Sequence, residues 1–283
     1  MSEIEWKDGA RCAALITVNL DAENFWLAFD PDVGERPKTL SMGQYGMDRG
    51  LPRLLDLLDE LEVRATFFVP GSTAAAYAEK VKDVASRGHE IAMRGCELLN
   101  WGILPAEQAA ADMEKGAAVL RNVVGVQPCG YRAPIAEFTL DTLRAAHANG
   151  AVYSSSLSSD DRPFWLDLGN GEKLLEIPAH WALYDLPYFA FNYHPAMPKG
   201  QGRIANYSQV FNNFREEFLG TVERGLCCVL QLDPQTACTP GRMPLLRGLL
   251  TEIKESGAAW IATGGEMYDY WSAVYPADYC NSL

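Results

Sequence analysis

The sequence predicts an α/β fold, a distorted (β/α) barrel of about seven or eight units, on three observations. Short β-rich runs alternate with amphipathic helical patterns along nearly the whole chain. Several strand candidates are continuous apolar runs, as strands covered on both faces must be. The chain of 283 residues is a length at which such barrels fold as one unit, so a single domain over 1–283 is expected.

The elements follow in order. Ala13 to Leu20 reads as the first strand. Leu51, Leu54, Leu55, Leu58 and Leu61 recur at helical spacing, with Pro52 suited to a first turn. Ala65 to Val69 is the second strand, stopped by Pro70-Gly71; a helix then runs to Arg87 and closes at Gly88. His89 to Arg94 is the third strand, Pro105 opens a helix that Gly125 closes, and Gly130 to Arg132 is a short fourth strand. A helix carrying Leu140 and Leu143 ends at Gly150, and strands follow at Val152 to Leu157 and Leu174 to Pro178. The helix near 208–224 buries Val210, Phe211, Phe214, Phe218 and Val222; Cys227 to Leu232 is a strand, 244–256 a helix, and Ala258 to Ala262 a final strand. Two stretches, 22–50 and 180–207, read as loops long enough to be functional or interfacial.

Composition limits the functions. Apolar residues make up 48% of the chain, enough for a large core. A net charge of −13 argues against nucleic acid or an anionic membrane as partner, since both select basic patches. The N-terminus lacks a basic segment followed by an apolar run, and the 7 cysteines form no C-x-x-C pair, so a cytoplasmic protein with reduced thiols is expected.

In a parallel barrel, chemistry sits at the C-terminal ends of the strands. Those ends carry Asn19, Asp21 and Glu23, then Arg94, Arg132, His180-Trp181 and Asp233. A carboxylate there often only caps the next helix, and an arginine often only pairs with it. Charges converging from several strands are harder to dismiss, because burying them is costly unless they pair or work. Asp21, Arg94, Arg132, Asp233 and Glu23 are therefore the catalytic candidates. Asn19, Trp26, Tyr45, His180 and Trp181 are the substrate-binding candidates.

Six stretches together resemble the polysaccharide deacetylase family, in its intracellular branch of peptidoglycan-deacetylase-like and allantoinase-like proteins. They are Val18-Asn19-Leu20-Asp21-Ala22-Glu23, Ser41-Met42-Gly43-Gln44-Tyr45-Gly46, Ala65 to Gly71, Gly88 to Ala92, Gly130-Tyr131-Arg132-Ala133-Pro134, and Glu176-Ile177-Pro178 followed by Trp181 and Asp185-Leu186-Pro187. The resemblance implies a general-base aspartate where this chain has Asn19, and an amide cannot take the proton. It implies a metal-binding aspartate, retained as Asp21, and two metal-binding histidines where Arg94 and Leu98 stand. Neither replacement can ligate, so no metal and no other cofactor is expected. Asp233 falls where the family places a general-acid histidine, and Arg132 is retained.

What remains is a metal-independent hydrolase of a small amide, cyclic amide or related carbonyl compound. An arginine would polarise the carbonyl and a carboxylate would handle the proton. Two alternatives stand beside it: a deacetylase-like binding or scaffold protein without activity, and a lyase or isomerase reusing the pocket. The expected partners are a small-molecule substrate and further copies of the chain in a dimer or tetramer, with neither nucleic acid nor membrane.

Overall fold

The computed structural model describes residues 4–134, 137–169, 171–199, 204–277 and 280–281. The chain forms two compact units: Met1–Ala65 with His180–Ile261, and Thr66–Ala179 with Ala262–Leu283. The first unit opens with β1 (Cys12–Asn19), α1 (Asn24–Phe29), α2 (Pro37–Tyr45) and α3 (Leu51–Glu60). The second supplies β2 (Thr66–Val69), α4 (Gly71–Ala76), α5 (Ala78–Ser86), β3 (Glu90–Met93), α6 (Ala106–Val124), β4 (Gly130–Tyr131), α7 (Leu140–Ala148), β5 (Tyr153–Ser154), β6 (Phe164–Asp167) and β7 (Lys173–Glu176). The chain returns to the first unit with α8 (Leu186–Phe189), β8 (Asn192–Tyr193), β9 (Ala196–Met197), α9 (Tyr207–Arg224), β10 (Cys227–Leu232), α10 (Pro234–Ala237), α11 (Met243–Glu255) and β11 (Ala259–Ala262). It ends in the second with α12 (Gly264–Val274) and β12 (Cys280–Asn281).

In the first unit, β10 and β11 both pair with β1. The β1–β10 pair is parallel, in register from Ala13 opposite Cys227 to Val18 opposite Leu232. Every residue of β1 is buried, which is why its sequence is an unbroken apolar run. Helix α3 buries Leu51, Leu54, Leu55, Leu57 and Leu58, each worth about 2 kcal/mol of apolar burial. In the second unit the order is β2-β3-β4-β5-β7-β6-β12. Its pairs are parallel except β6–β7.

The expected strands and long helices lie within a few residues of the apolar patterns, whereas β6, the β8–β9 hairpin, α12 and β12 are additional to them. Helix α6 ends as expected, with Gly125 at φ 77°, a left-handed cap that needs no Cβ. The stretch 22–50 is a correction, since it is mostly helix: α2 starts at Pro37 and continues through a wider turn at 46–50 into α3. Its glycines at 43, 46 and 50 give it the look of a loop. The stretch 180–207 likewise carries α8 and the β8–β9 hairpin.

Candidate functional site

The polar centre of the first unit follows from strand register. Val18 lies opposite Leu232 on parallel neighbours, so the residues beyond them emerge at one edge: Asn19 at the end of β1, Asp21 just after it, and Asp233 after β10. All three are buried. Asp233 caps α10. Its Oδ1 accepts from the Gln235 backbone N–H at 3.0 Å, and its Oδ2 accepts from the Gln235 side-chain amide at 3.1 Å. Its own N–H donates to Asp185 Oδ1 at 2.7 Å. Gln235 in turn accepts from Trp26 Nε1 at 2.8 Å, which fixes the indole.

Burial pushes the Asp233 carboxyl well above the usual aspartate range, and the negative charges of Asp21 and Asp185 push it further. The two hydrogen bonds from Gln235 oppose this without reversing it. Burial also lifts Asp185 to about 7, against the pull of its hydrogen bonds and of Arg242. Burial and like-charged neighbours therefore both favour the protonated carboxyl, the form a general acid requires.

Three glycines bring helix backbone onto this centre. A Cβ on Gly43 would lie 2.4 Å from the Glu23 nitrogen, one on Gly46 2.9 Å from the Gln235 Cβ, and one on Gly50 2.1 Å from the Pro234 carbonyl. Spaced three and four residues apart, they share one helical face, so any larger side chain would push both polar segments away. The turn they press on is itself strained. Ala22 sits at φ 53°, a left-handed conformation that costs a residue with a Cβ about 1–2 kcal/mol.

Beside this centre the first unit has a cavity of about 490 Å³. Trp26, Tyr45, Phe189, Phe191 and Tyr207 give it aromatic walls, and Gln235 and Thr236 bring it next to Asp233.

In the second unit two buried arginines donate to backbone and hydroxyl oxygens. Arg94 donates through Nη1 to the Ala133 carbonyl at 2.7 Å. Arg132 donates from Nε to the Ser155 carbonyl and from Nη2 to the Ser155 hydroxyl, both at 2.8 Å, and its guanidinium lies 4.1 Å from the Phe68 ring centre. Asp112 on α6 accepts the backbone N–H groups of Cys96 and Glu97 at 2.9 and 3.1 Å, which pins the loop after Arg94. Glu176 is fully buried and accepts the N–H groups of Ser156 and Leu157 at 2.6 and 2.8 Å; burial pushes it up to about 7.

Comparison with known proteins places the chain in a family. The family model described as polysaccharide deacetylase matches residues 27–154. A Mycobacterium smegmatis structure assigned to the polysaccharide deacetylases is 33% identical, with a TM-score of 0.90 over 96% of this chain and 94% of that one. The chain belongs to the polysaccharide deacetylase family. The peptidoglycan deacetylase of Helicobacter pylori is 28% identical over 197 residues, spanning 62% of this chain and 67% of that protein. An allantoinase structure at 19% identity shares the fold, with a TM-score of 0.84 over 98% of this chain and 95% of its own.

The side chains present do not fit the divalent ion that the polysaccharide deacetylase motifs imply. Arg94 stands at one histidine position with its guanidinium spent on a carbonyl, and it offers no lone pair. Leu98 at the other has no donor atom. Among the described residues, no three His, Cys, Asp or Glu side chains gather as a cation would require.

The other expected site residues divide. Trp26 and Tyr45 line the cavity. Glu23 is half-buried and precedes α1. His180 is exposed: its ring stacks on Trp181 at 5.0 Å, and its Nδ1 accepts from the Ala182 N–H at 3.2 Å. Trp181 is 69% exposed, so of the aromatic cluster 181–193 it is Phe189 and Phe191 that face the cavity.

Sequence reading missed Asp185, Gln235 and Arg242. The first two carried a signal: Asp185 lies in a family-like stretch, and Gln235 follows Asp233-Pro234. Arg242 carried none, because its surroundings come from Phe189 and Tyr207, which are distant in sequence.

Proposed function

We propose that this polysaccharide deacetylase family member hydrolyses the C–N bond of a small amide or cyclic amide without a divalent ion. The observation that carries the reading is the buried Asp233, held by Gln235 beside Asp185 where burial and like charges favour its protonated form, at the position where the family resemblance calls for a general acid. Family membership supports the coarser class, a hydrolase of C–N bonds other than peptide bonds.

The proton balance is simple. Water adds to the carbonyl carbon and passes a proton to a general base, for which Asp21 and Glu23 are the candidates. As the C–N bond breaks, Asp233 gives its proton to the departing nitrogen, and the products are a carboxylic acid and an amine. A fixed cation that polarises the carbonyl lowers the barrier to the first step. Asn19 keeps the position of the family's base without its basicity and is left to bind substrate.

The test is metal analysis of the purified protein, paired with turnover of cyclic amides and of N-acetylglucosamine oligomers before and after chelation. The expected result is substoichiometric metal and cyclic-amide turnover that a chelator leaves unchanged. Stoichiometric zinc whose removal abolishes turnover overturns the reading. Absence of turnover on both substrate classes favours the binding-protein alternative, which the loss of the family's base at Asn19 also supports.

A further inference from the structure

We infer that the cavity of the first unit binds a small ligand carrying a single carboxylate, with Arg242 as the group that recognises it. Arg242 is only 3% exposed, yet among the described residues it is the one charged side chain lining the cavity. In a chain of net charge −13, a cavity with one cation and no carboxylate in its wall is selective for anions.

The guanidinium is held flat and left unfinished. It lies between two rings, 4.1 Å from the centre of Phe189 and 4.3 Å from that of Tyr207. Stacking of this kind fixes the plane of the fork and so the direction of its N–H groups. Nη1 donates to the Thr236 carbonyl at 2.6 Å, while the buried Nε has no acceptor. A buried arginine with an unmatched N–H is costly unless an acceptor arrives, and a carboxylate on the fork supplies one with charge assistance.

The charge of the ligand follows from what lies nearby. Arg242 feels the Asp185 carboxyl, and no second cation lines the wall. One guanidinium suits a monoanion; a phosphate dianion would meet too few donors and more repulsion. The walls of Trp26, Tyr45 and Phe191 suit a planar or ring-bearing body. Resting on the proposed hydrolysis, the inference makes the substrate an amide that also bears a carboxylate. The binding itself is testable without turnover.

The experiment is isothermal titration of the full chain with benzoate and with benzamide, which match in shape and differ in charge. The expected result is benzoate binding about tenfold or more tighter than benzamide. Arg242→Gln should abolish that preference, and Arg242→Lys should keep it at reduced strength. Ser41→Trp, on the exposed rim of the cavity, should remove benzoate binding without lowering Tm. If Arg242→Gln does not fold, the benzoate-to-benzamide ratio and the Ser41→Trp variant decide. Equal affinity for the two probes, no benzoate binding, or a preference that survives Arg242→Gln or Ser41→Trp overturns the inference. None of these outcomes depends on the metal or turnover measurements.

Discussion

Glu176 in the second unit and Asp233 in the first are both buried carboxyl groups that accept two hydrogen bonds, and they differ in their neighbours. Glu176 receives two backbone N–H groups and feels Arg132, and burial brings it only to about 7. Asp233 receives comparable bonds from Gln235 but faces Asp21 and Asp185, and it rises well beyond the usual range. In both groups burial outweighs the opposing hydrogen bonds, and at Asp233 like charges push the same way. Glu176 titrates near 7, whereas burial and like charges together favour the protonated form of Asp233. That is the difference between a structural carboxyl group and one arranged for proton transfer.

The largest expected effect lies at Asp233. Asp233→Asn keeps an oxygen for the Gln235 N–H but cannot give a proton, so kcat on the hydrolysed amide should fall about 10²–10⁴-fold, read by steady-state kinetics. An unchanged kcat would erase the distinction drawn here between the two groups.

Next in size is the pH dependence set by Glu176. Its folded pKa is raised from 4.5 to about 7, so the folded state binds the proton more tightly. The stability gained is full below about pH 4.5 and is lost as pH rises through about 7, by about 3 kcal/mol. Glu176→Gln retains the acceptor oxygen for Ser156 and Leu157. Denaturant unfolding of the two proteins across this window should show the variant with the flatter profile. Parallel profiles would mean that Glu176 is not the titrating group. Asp185, lifted over a similar range, should preserve part of the slope in both.

The smallest effect separates support from chemistry. Trp26→Phe removes the bond to Gln235 Oε1 and leaves a buried acceptor unmatched, which should cost about 1–2 kcal/mol of stability by denaturant unfolding. If Gln235 helps hold Asp233 in place, the pH profile of turnover should shift as well. A stability loss with no such shift would confine Trp26 to packing.

Much of this was legible in the sequence. The apolar run of β1, the leucines of α3 and the Gly125 cap gave their elements directly, because each rests on contacts with near neighbours or on a face fully covered by its sheet. The strand ends located Asp21, Arg94, Arg132 and Asp233, and the family-like stretches contained two of them, Asp21 and Arg132. The helical nature of 37–50 was hidden, because the glycines that look like loop residues are there for close approach to Glu23 and Gln235. Arg94 and Leu98 at the ligand positions were readable outright, since donor chemistry belongs to the side chain alone.

The sequence by itself determined which groups the chain carries: the strands, the loss of metal-ligating side chains, and the carboxylates after β1 and β10. Only the tertiary structure decided their states. A pKa depends on solvent exclusion and on charges brought close by folding, and the setting of Arg242 depends on rings more than thirty positions away along the chain. Interactions of that kind have no local pattern, so no reading of adjacent residues can reveal them.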